Sequence, residues 1–170
     1  MKYFCPDNHQ ELFDLLGSIK PANRRLLAGG SDLMPGFENG QFLPDNLIDL
    51  KRITGTDNIN DAGENVIIGA LTTIETIRKS AIIHDQFPAL WQATSQFAGT
   101  QIRHRATIGG NICNASPAGD TLPALYAHGA TVRLKGPGAI RELPIADFIT
   151  GPGRTELLQN EILLEIILPK

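Results

Sequence analysis

Ala106-Thr107-Ile108-Gly109-Gly110-Asn111-Ile112-Cys113-Asn114-Ala115-Ser116-Pro117-Ala118-Gly119-Asp120 is the most informative stretch of this 170-residue chain. Its glycine pair sits among small hydroxyl and amide side chains: Thr107, Asn111, Asn114 and Ser116. A shorter stretch of the same character lies eighty residues earlier, Ala28-Gly29-Gly30-Ser31-Asp32-Leu33. Adjacent glycines let the backbone take φ > 0 and turn its N–H groups outward, with no Cβ in front of a ligand. Such N–H groups make anion sites, and phosphate is the anion they most often hold. One pair alone reads as a tight turn after a strand. Two pairs in the same surroundings read as two loops gripping one diphosphate from two sides.

The wording of the two stretches is specific. They resemble the flavin-diphosphate motifs of the FAD-binding domain in molybdenum hydroxylase flavoprotein subunits, the xanthine dehydrogenase and carbon monoxide dehydrogenase type. Those motifs look like AGGTDL and ATIGGN-I-NASPAGD. Here Ser31 stands for the family's threonine, and Cys113 falls at a variable position. Gln101-Ile102-Arg103 fits the family's QIRN, with His104 in place of its asparagine. Leu157-Leu158-Gln159-Asn160-Glu161-Ile162-Leu163 is similar to its L-P-D-E-I-L segment. The resemblance runs from the Tyr3-Phe4 strand to Pro169.

The resemblance implies an α+β fold, a two-lobe FAD-binding domain with the cofactor between a small α/β lobe and a larger mixed α+β lobe. Carried over residue by residue, the FAD site comprises Ala28, Gly29, Gly30, Ser31, Asp32 and Leu33 from the first motif. Thr107, Ile108, Gly109, Gly110, Asn111, Asn114, Ser116 and Asp120 come from the second. Ile162 and Leu163 of the last segment approach the adenine or the flavin. The implied partners are an iron–sulfur subunit, which feeds electrons to FAD, and a molybdopterin-binding subunit, which hydroxylates the substrate. NAD or another acceptor then takes the electrons. The family continues into a C-terminal α+β domain, which this chain, stopping at Leu168-Pro169-Lys170, is expected to lack.

Composition is ordinary, which argues against disorder and narrows the alternatives. At 170 residues the chain can bury a sizeable core. With 42% hydrophobic and 19% charged residues and a net charge of −3, it offers no basic excess for nucleic acid. No apolar run is long enough to span a membrane. Met1 to Asp7 carries no signal-peptide stretch, so a reducing, cytoplasmic setting is expected, with Cys5 and Cys113 as free thiols.

The organisation follows from periodicity. Asp7 or Asn8 can cap a helix with Leu12, Leu15, Leu16 and Ile19 on one face, ended by Pro21-Ala22-Asn23. Strands are expected at Arg25–Ala28 and Asn46–Leu50, with a loop and short helix between them. Residues 1–54 thus form the small α/β lobe, and residues 55–170 the larger lobe. In the latter, Ala62-Gly63-Glu64 joins a hairpin. Thr72 or Thr73 can cap a helix through Lys79, and Pro88 opens one with Leu90, Trp91, Thr94 and Phe97 on a core-facing side. A helix with Leu122, Leu125 and Tyr126 follows Pro117, and strands at Thr131–Leu134 and Ile162–Leu168 finish the chain.

Rival readings are weaker. Asp49 lies twenty residues after Gly29, as in a dinucleotide fold, but G-x-G-x-x-G is absent; Asp49 is expected to bond within its own turn. Asp32 beside a diphosphate would repel it, so its carboxylate is expected to accept backbone N–H bonds and hold the loop. Asp120 suits a ribose or ribityl hydroxyl, and also suits a helix N-cap. Arg103, His104 and Arg105 either offset the diphosphate charge at a distance or form a solvated cluster. No protein nucleophile, acid–base pair or metal cluster emerges, which fits a protein whose redox chemistry belongs to its cofactor. Two other classes remain open at this point: a flavin-binding oxidase of the broader two-lobe fold, marked by a His or Cys bonded to flavin, and a non-catalytic remnant or assembly domain that does not retain FAD.

Overall fold

The computed structural model describes residues 1–41 and 43–170. Strand and helix alternate at the start. β1 (Lys2–Phe4) leads through Asn8 into α1 (His9–Ser18). Of the two candidate caps, Asn8 takes the role: its Oδ1 accepts from Glu11 N at 3.0 Å, while Glu11 Oε2 accepts from Asp7 N at 2.9 Å. β2 (Arg24–Leu27), the short α2 (Leu33–Glu38) and β3 (Asn46–Asp49) follow. β1 and β2 both pair in parallel with β3, which lies between them. Leu12 and Leu16, one helical turn apart, meet Ile48 and Ile53 in a small core that Ile162, from the far end of the chain, completes.

A larger sheet forms the rest. β4 (Ile59–Asp61) and β5 (Asn65–Gly69) make the expected hairpin. Six helices intervene: α3 (Ile74–Lys79), α4 (Ala81–Gln86), α5 (Pro88–Gln96), α6 (Thr100–Arg103), α7 (Ile108–Asn114) and α8 (Leu122–Ala127). Then come β6 (Thr131–Lys135), β7 (Ile140–Pro144), α9 (Ile145–Phe148), β8 (Ile149–Gly151), β9 (Arg154–Thr155) and β10 (Ile162–Pro169). The five-stranded sheet is antiparallel, in the order β4-β5-β10-β6-β7. Its period-2 residues Val66 and Ile68, Val132 and Leu134, Ile166 and Leu168 are buried. They share one core with Ile74, Ile77, Leu90, Ile108 and Ile112 of the helices and with Phe87 between α4 and α5.

The second glycine pair is a helix start rather than a loop, which corrects the expectation from sequence. Thr107 is the N-cap of α7, its Oγ1 accepting from Gly110 N at 3.1 Å, and Gly109 and Gly110 lie in the first turn. The helices α4, α6 and α9 have no counterpart among the expected elements; each has four to six residues, too few to display a period.

One buried cation ties the beginning of the chain to its end. The Arg24 guanidinium donates to the carbonyls of Leu16, Ile19 and Gln159 and, at 3.2 Å, to Asn160 Oδ1. Burial lowers its pKa. The segment before β10 is thereby fixed against α1 and β2.

Candidate cofactor site

A cavity of about 520 Å³ is lined by both glycine stretches and by the last strand. Ala28, Gly29, Gly30, Ser31, Asp32 and Leu33 contribute from the turn between β2 and α2. Thr107, Gly109, Gly110, Asn111, Asn114, Ser116 and Asp120 contribute from α7 and the turn after it, and Ile162 and Leu163 from the start of β10. Every residue expected at the site therefore lines this one cavity except Ile108, which is fully buried in the larger core. The reason is the helix: Ile108 is its first residue and packs inward while Thr107 and Gly109 face the cavity.

The two stretches touch. A Cβ on Gly29 would stand 1.8 Å from the carbonyl oxygen of Arg105, and one on Gly109 would stand 2.7 Å from the Ala70 carbonyl oxygen. Glycine is required at both positions by space, whatever its φ. Gly30 is different: its φ of 76° lies in the left-handed region. It bends the chain from β2 into α2.

The donors are distributed unequally, which also corrects the symmetric picture of two N–H nests. At the second pair the N–H groups are spent inside the protein. Ile108 N donates to Thr72 O at 3.1 Å, Gly109 N to Ala70 O at 2.8 Å, and Asn111 N to Thr107 O at 3.0 Å. At the first pair, among the described residues, the N–H groups of Gly29, Gly30, Ser31 and Asp32 donate to no backbone carbonyl. They line the cavity as a run of open donors. The second stretch supplies side chains instead. Thr107 Oγ1 accepts from Gly110 N, which leaves its own O–H to give. Asn111 Oδ1 accepts from the fully buried Thr121 hydroxyl at 2.6 Å, which turns the amide N–H₂ away from Thr121 as a free donor.

Of the three carboxylates, one departs from its expected role. Asp32 occupies the N-cap position of α2 but makes no capping bond, so it does not hold the loop as anticipated. Asp120 is exposed and lines the cavity, and the N-cap position of α8 belongs to Thr121. Asp49 does bond within its turn: it accepts from Lys51 N at 3.0 Å and from Lys51 Nζ and Tyr3 Oη at 2.6 Å each. Hydrogen bonds from Lys51 and Tyr3 outweigh burial and hold its carboxyl below the usual range. Arg103 faces Glu75 and the Phe97 and Ala98 carbonyls rather than the cavity.

Apolar lining completes the cavity. Leu50, Leu71, Phe97, Ala98, Ile102 and Leu157 are part of it, and the sequence does not mark them as site residues. Phe97, expected on the core face of α5, is 8% exposed and serves both core and cavity. No local pattern in the sequence separates these residues from ordinary core. Cys113 also lines the cavity, and burial pushes its thiol up to about 12, so it is a protonated apolar contact. Both cysteines are free. Among the described residues, no helix is long and apolar enough to cross a membrane.

A mixed α and β fold thus presents one cavity with an open run of N–H donors, hydroxyl and amide donors facing it and an apolar flank, the chemistry that can hold an anionic group beside a ring system. A family model described as "FAD binding domain in molybdopterin dehydrogenase" matches residues 1–170. The carbon monoxide dehydrogenase medium chain of Hydrogenophaga pseudoflava is 34% identical over 168 residues, covering 99% of this chain and 58% of that one. The nicotinate dehydrogenase FAD-subunit of Eubacterium barkeri is 33% identical, with 99% and 58% covered. A solved structure of Hydrogenophaga pseudoflava carbon monoxide dehydrogenase lacking the Mo-pyranopterin moiety superposes with a TM-score of 0.95 at 34% identity, covering 99% of this chain and 58% of that chain. The chain belongs to the family of FAD-binding domains of molybdopterin dehydrogenases, and FAD is its cofactor. It spans a little under three fifths of the length of these relatives.

Proposed function

We propose that FAD lies in the cavity between the two motifs, and that the chain serves as the flavin electron-transfer part of a molybdenum hydroxylase. The observation that carries this reading is the convergence of both motifs and the Ile162-Leu163 segment on one cavity. The diphosphate fits the open N–H groups of Gly29 to Asp32, with Thr107 and the Asn111 amide donating from the other stretch. Asp120 suits a ribose or ribityl hydroxyl, and the apolar wall at Phe97, Ile102 and Leu157 suits a ring system. Residues 1–54 and 55–170 act as the two lobes around it. When bound, FAD supplies the redox chemistry; the chain's own residues bind it, orient it and exclude water.

The proposed partners are those that the resemblance to molybdenum hydroxylase subunits implies. An iron–sulfur subunit delivers electrons that a molybdopterin-binding subunit draws from its substrate, and NAD or another acceptor removes them. The purified single chain then hydroxylates nothing by itself.

Titration of the chain with FAD and with FMN tests the site. FAD is expected to bind at least ~10-fold more tightly, about 1.4 kcal/mol, because FMN lacks the second phosphate and the nucleoside. Equal affinity for the two overturns the diphosphate reading.

A further inference from the structure

Arg103 belongs to neither of the roles its sequence position suggested. It lies in α6 with its side chain 15% exposed, and every face of its guanidinium is engaged. Nε donates to Glu75 Oε2 at 3.3 Å. Nη1 donates to Phe97 O at 2.9 Å and to Ala98 O at 2.8 Å. Nη2 donates to Thr100 Oγ1 at 3.0 Å. Glu75 is itself 6% exposed and is held from the other side by Arg78, through Nε at 2.9 Å and Nη2 at 2.6 Å, and by Lys79 Nζ at 3.3 Å.

The turn that Arg103 grips is unusual. Ala98 has φ of 34°, a left-handed conformation that an alanine adopts at a cost. Its carbonyl and that of Phe97 point to the guanidinium, while Phe97 and Ala98 line the cofactor cavity together with Ile102. A planar fork can hold two successive carbonyls and a hydroxyl while its Nε faces a carboxylate. An ammonium is a point charge and cannot.

We propose that Arg103, oriented by Glu75, is a positioning residue that locks the left-handed turn at Ala98 and so sets the apolar wall of the FAD cavity. The inference rests on the reading that the cavity takes FAD. Neither residue lines the cavity: Glu75 and Arg103 act through Phe97 and Ala98. Arg78 shares Glu75 but, among the described residues, makes no hydrogen bond to the turn, which makes it the natural control.

The test uses Arg103→Lys and Arg78→Lys in the full chain. In isotope-labelled protein without FAD, the Ala98 carbon shifts and its HN–Hα coupling report φ directly. The unaltered chain and Arg78→Lys are expected to show the left-handed signature, and Arg103→Lys to lose it. FAD titration then reads the consequence: at least ~5-fold weaker binding for Arg103→Lys and less than ~2-fold for Arg78→Lys. Unchanged φ in Arg103→Lys overturns the proposal, as does a lost turn with unchanged FAD affinity. An equal loss of affinity in both variants also overturns it, since that marks a general loss of stability. If the unaltered chain takes up no FAD, the cofactor reading fails; a lost signature in Arg103→Lys still supports the lock on the turn.

Discussion

The backbone of Gly29 lies so close to the carbonyl oxygen of Arg105 that a Cβ there would stand 1.8 Å from it. This contact joins the start of the first motif to the residue before the second. The two donor sets face one cavity because their backbones abut. An alanine at position 29 meets a carbonyl that is anchored by its neighbours: Ala106 O accepts from Ile74 N at 2.9 Å, and Ala106 N donates to Ile102 O at 2.7 Å.

Gly29→Ala is therefore expected to destabilise the fold by on the order of 3 kcal/mol and to separate the motifs. Gly30→Ala is expected to cost about 1–2 kcal/mol, set by its φ of 76°, since its Cβ would meet only the side-chain atoms Leu27 Cδ1 and Met34 Cγ. Urea denaturation of both variants checks the order. A Gly29→Ala protein as stable as the parent would falsify the close approach.

Thr107 caps α7 and lines the cavity at once. Thr107→Ala is expected to cost about 1 kcal/mol of stability from the lost cap. FAD affinity should fall as well if, as proposed, the same hydroxyl donates a hydrogen bond into the cavity. Thr107→Ser keeps the oxygen and is expected to recover most of both. Denaturation and flavin titration on the two variants measure this, and alanine matching serine in both would sink it.

Glu75 ties stability to acid. Hydrogen bonds from Arg78, helped by Lys79 and Arg103, outweigh burial and hold its carboxyl at about 2, against an ordinary 4.5. Its folded-state pKa is depressed, so its contribution is complete above about pH 4.5 and is lost as pH falls toward about 2. Glu75→Gln is expected to be less stable at neutral pH and to lose less stability across that window. Melting temperatures from pH 6 down to pH 2.5 give both slopes, and parallel slopes would remove Glu75 from the account.

Cys113 should be chemically quiet in the folded protein. With its thiol pushed up to about 12, about one molecule in ten thousand carries a thiolate at pH 8. Iodoacetamide at pH 8 is expected to leave the Cys113 peptide unmodified until urea unfolds the chain. Peptide mass spectrometry reads the outcome; rapid alkylation of the folded protein contradicts a thiol held protonated.

The parts of the cavity lining made by consecutive residues are legible in the amino-acid sequence alone. Gly29 and Gly30 after β2, and Thr107 to Asp120, are contiguous stretches whose chemistry depends on neighbours a few residues away, and all but Ile108 of the named residues reach the cavity. Asn8, Thr73 and Pro88 mark helix starts for the same reason: a cap acts within one turn.

Residue order alone thus carries the family, the cofactor and the local elements long enough to show a period. The tertiary structure decided the division of labour between the motifs. Whether Gly109 N–H is an open donor depends on the Ala70 carbonyl, thirty-nine residues away, which takes it. The conversion of the second glycine pair into the first turn of α7 rests on the same partners. It decided as well that Phe97, Ala98 and Leu157 are cavity wall and that Arg103 braces a turn instead of facing a phosphate. These outcomes depend on contacts between distant segments, and periodicity carries no record of which distant carbonyl or carboxylate a side chain will meet.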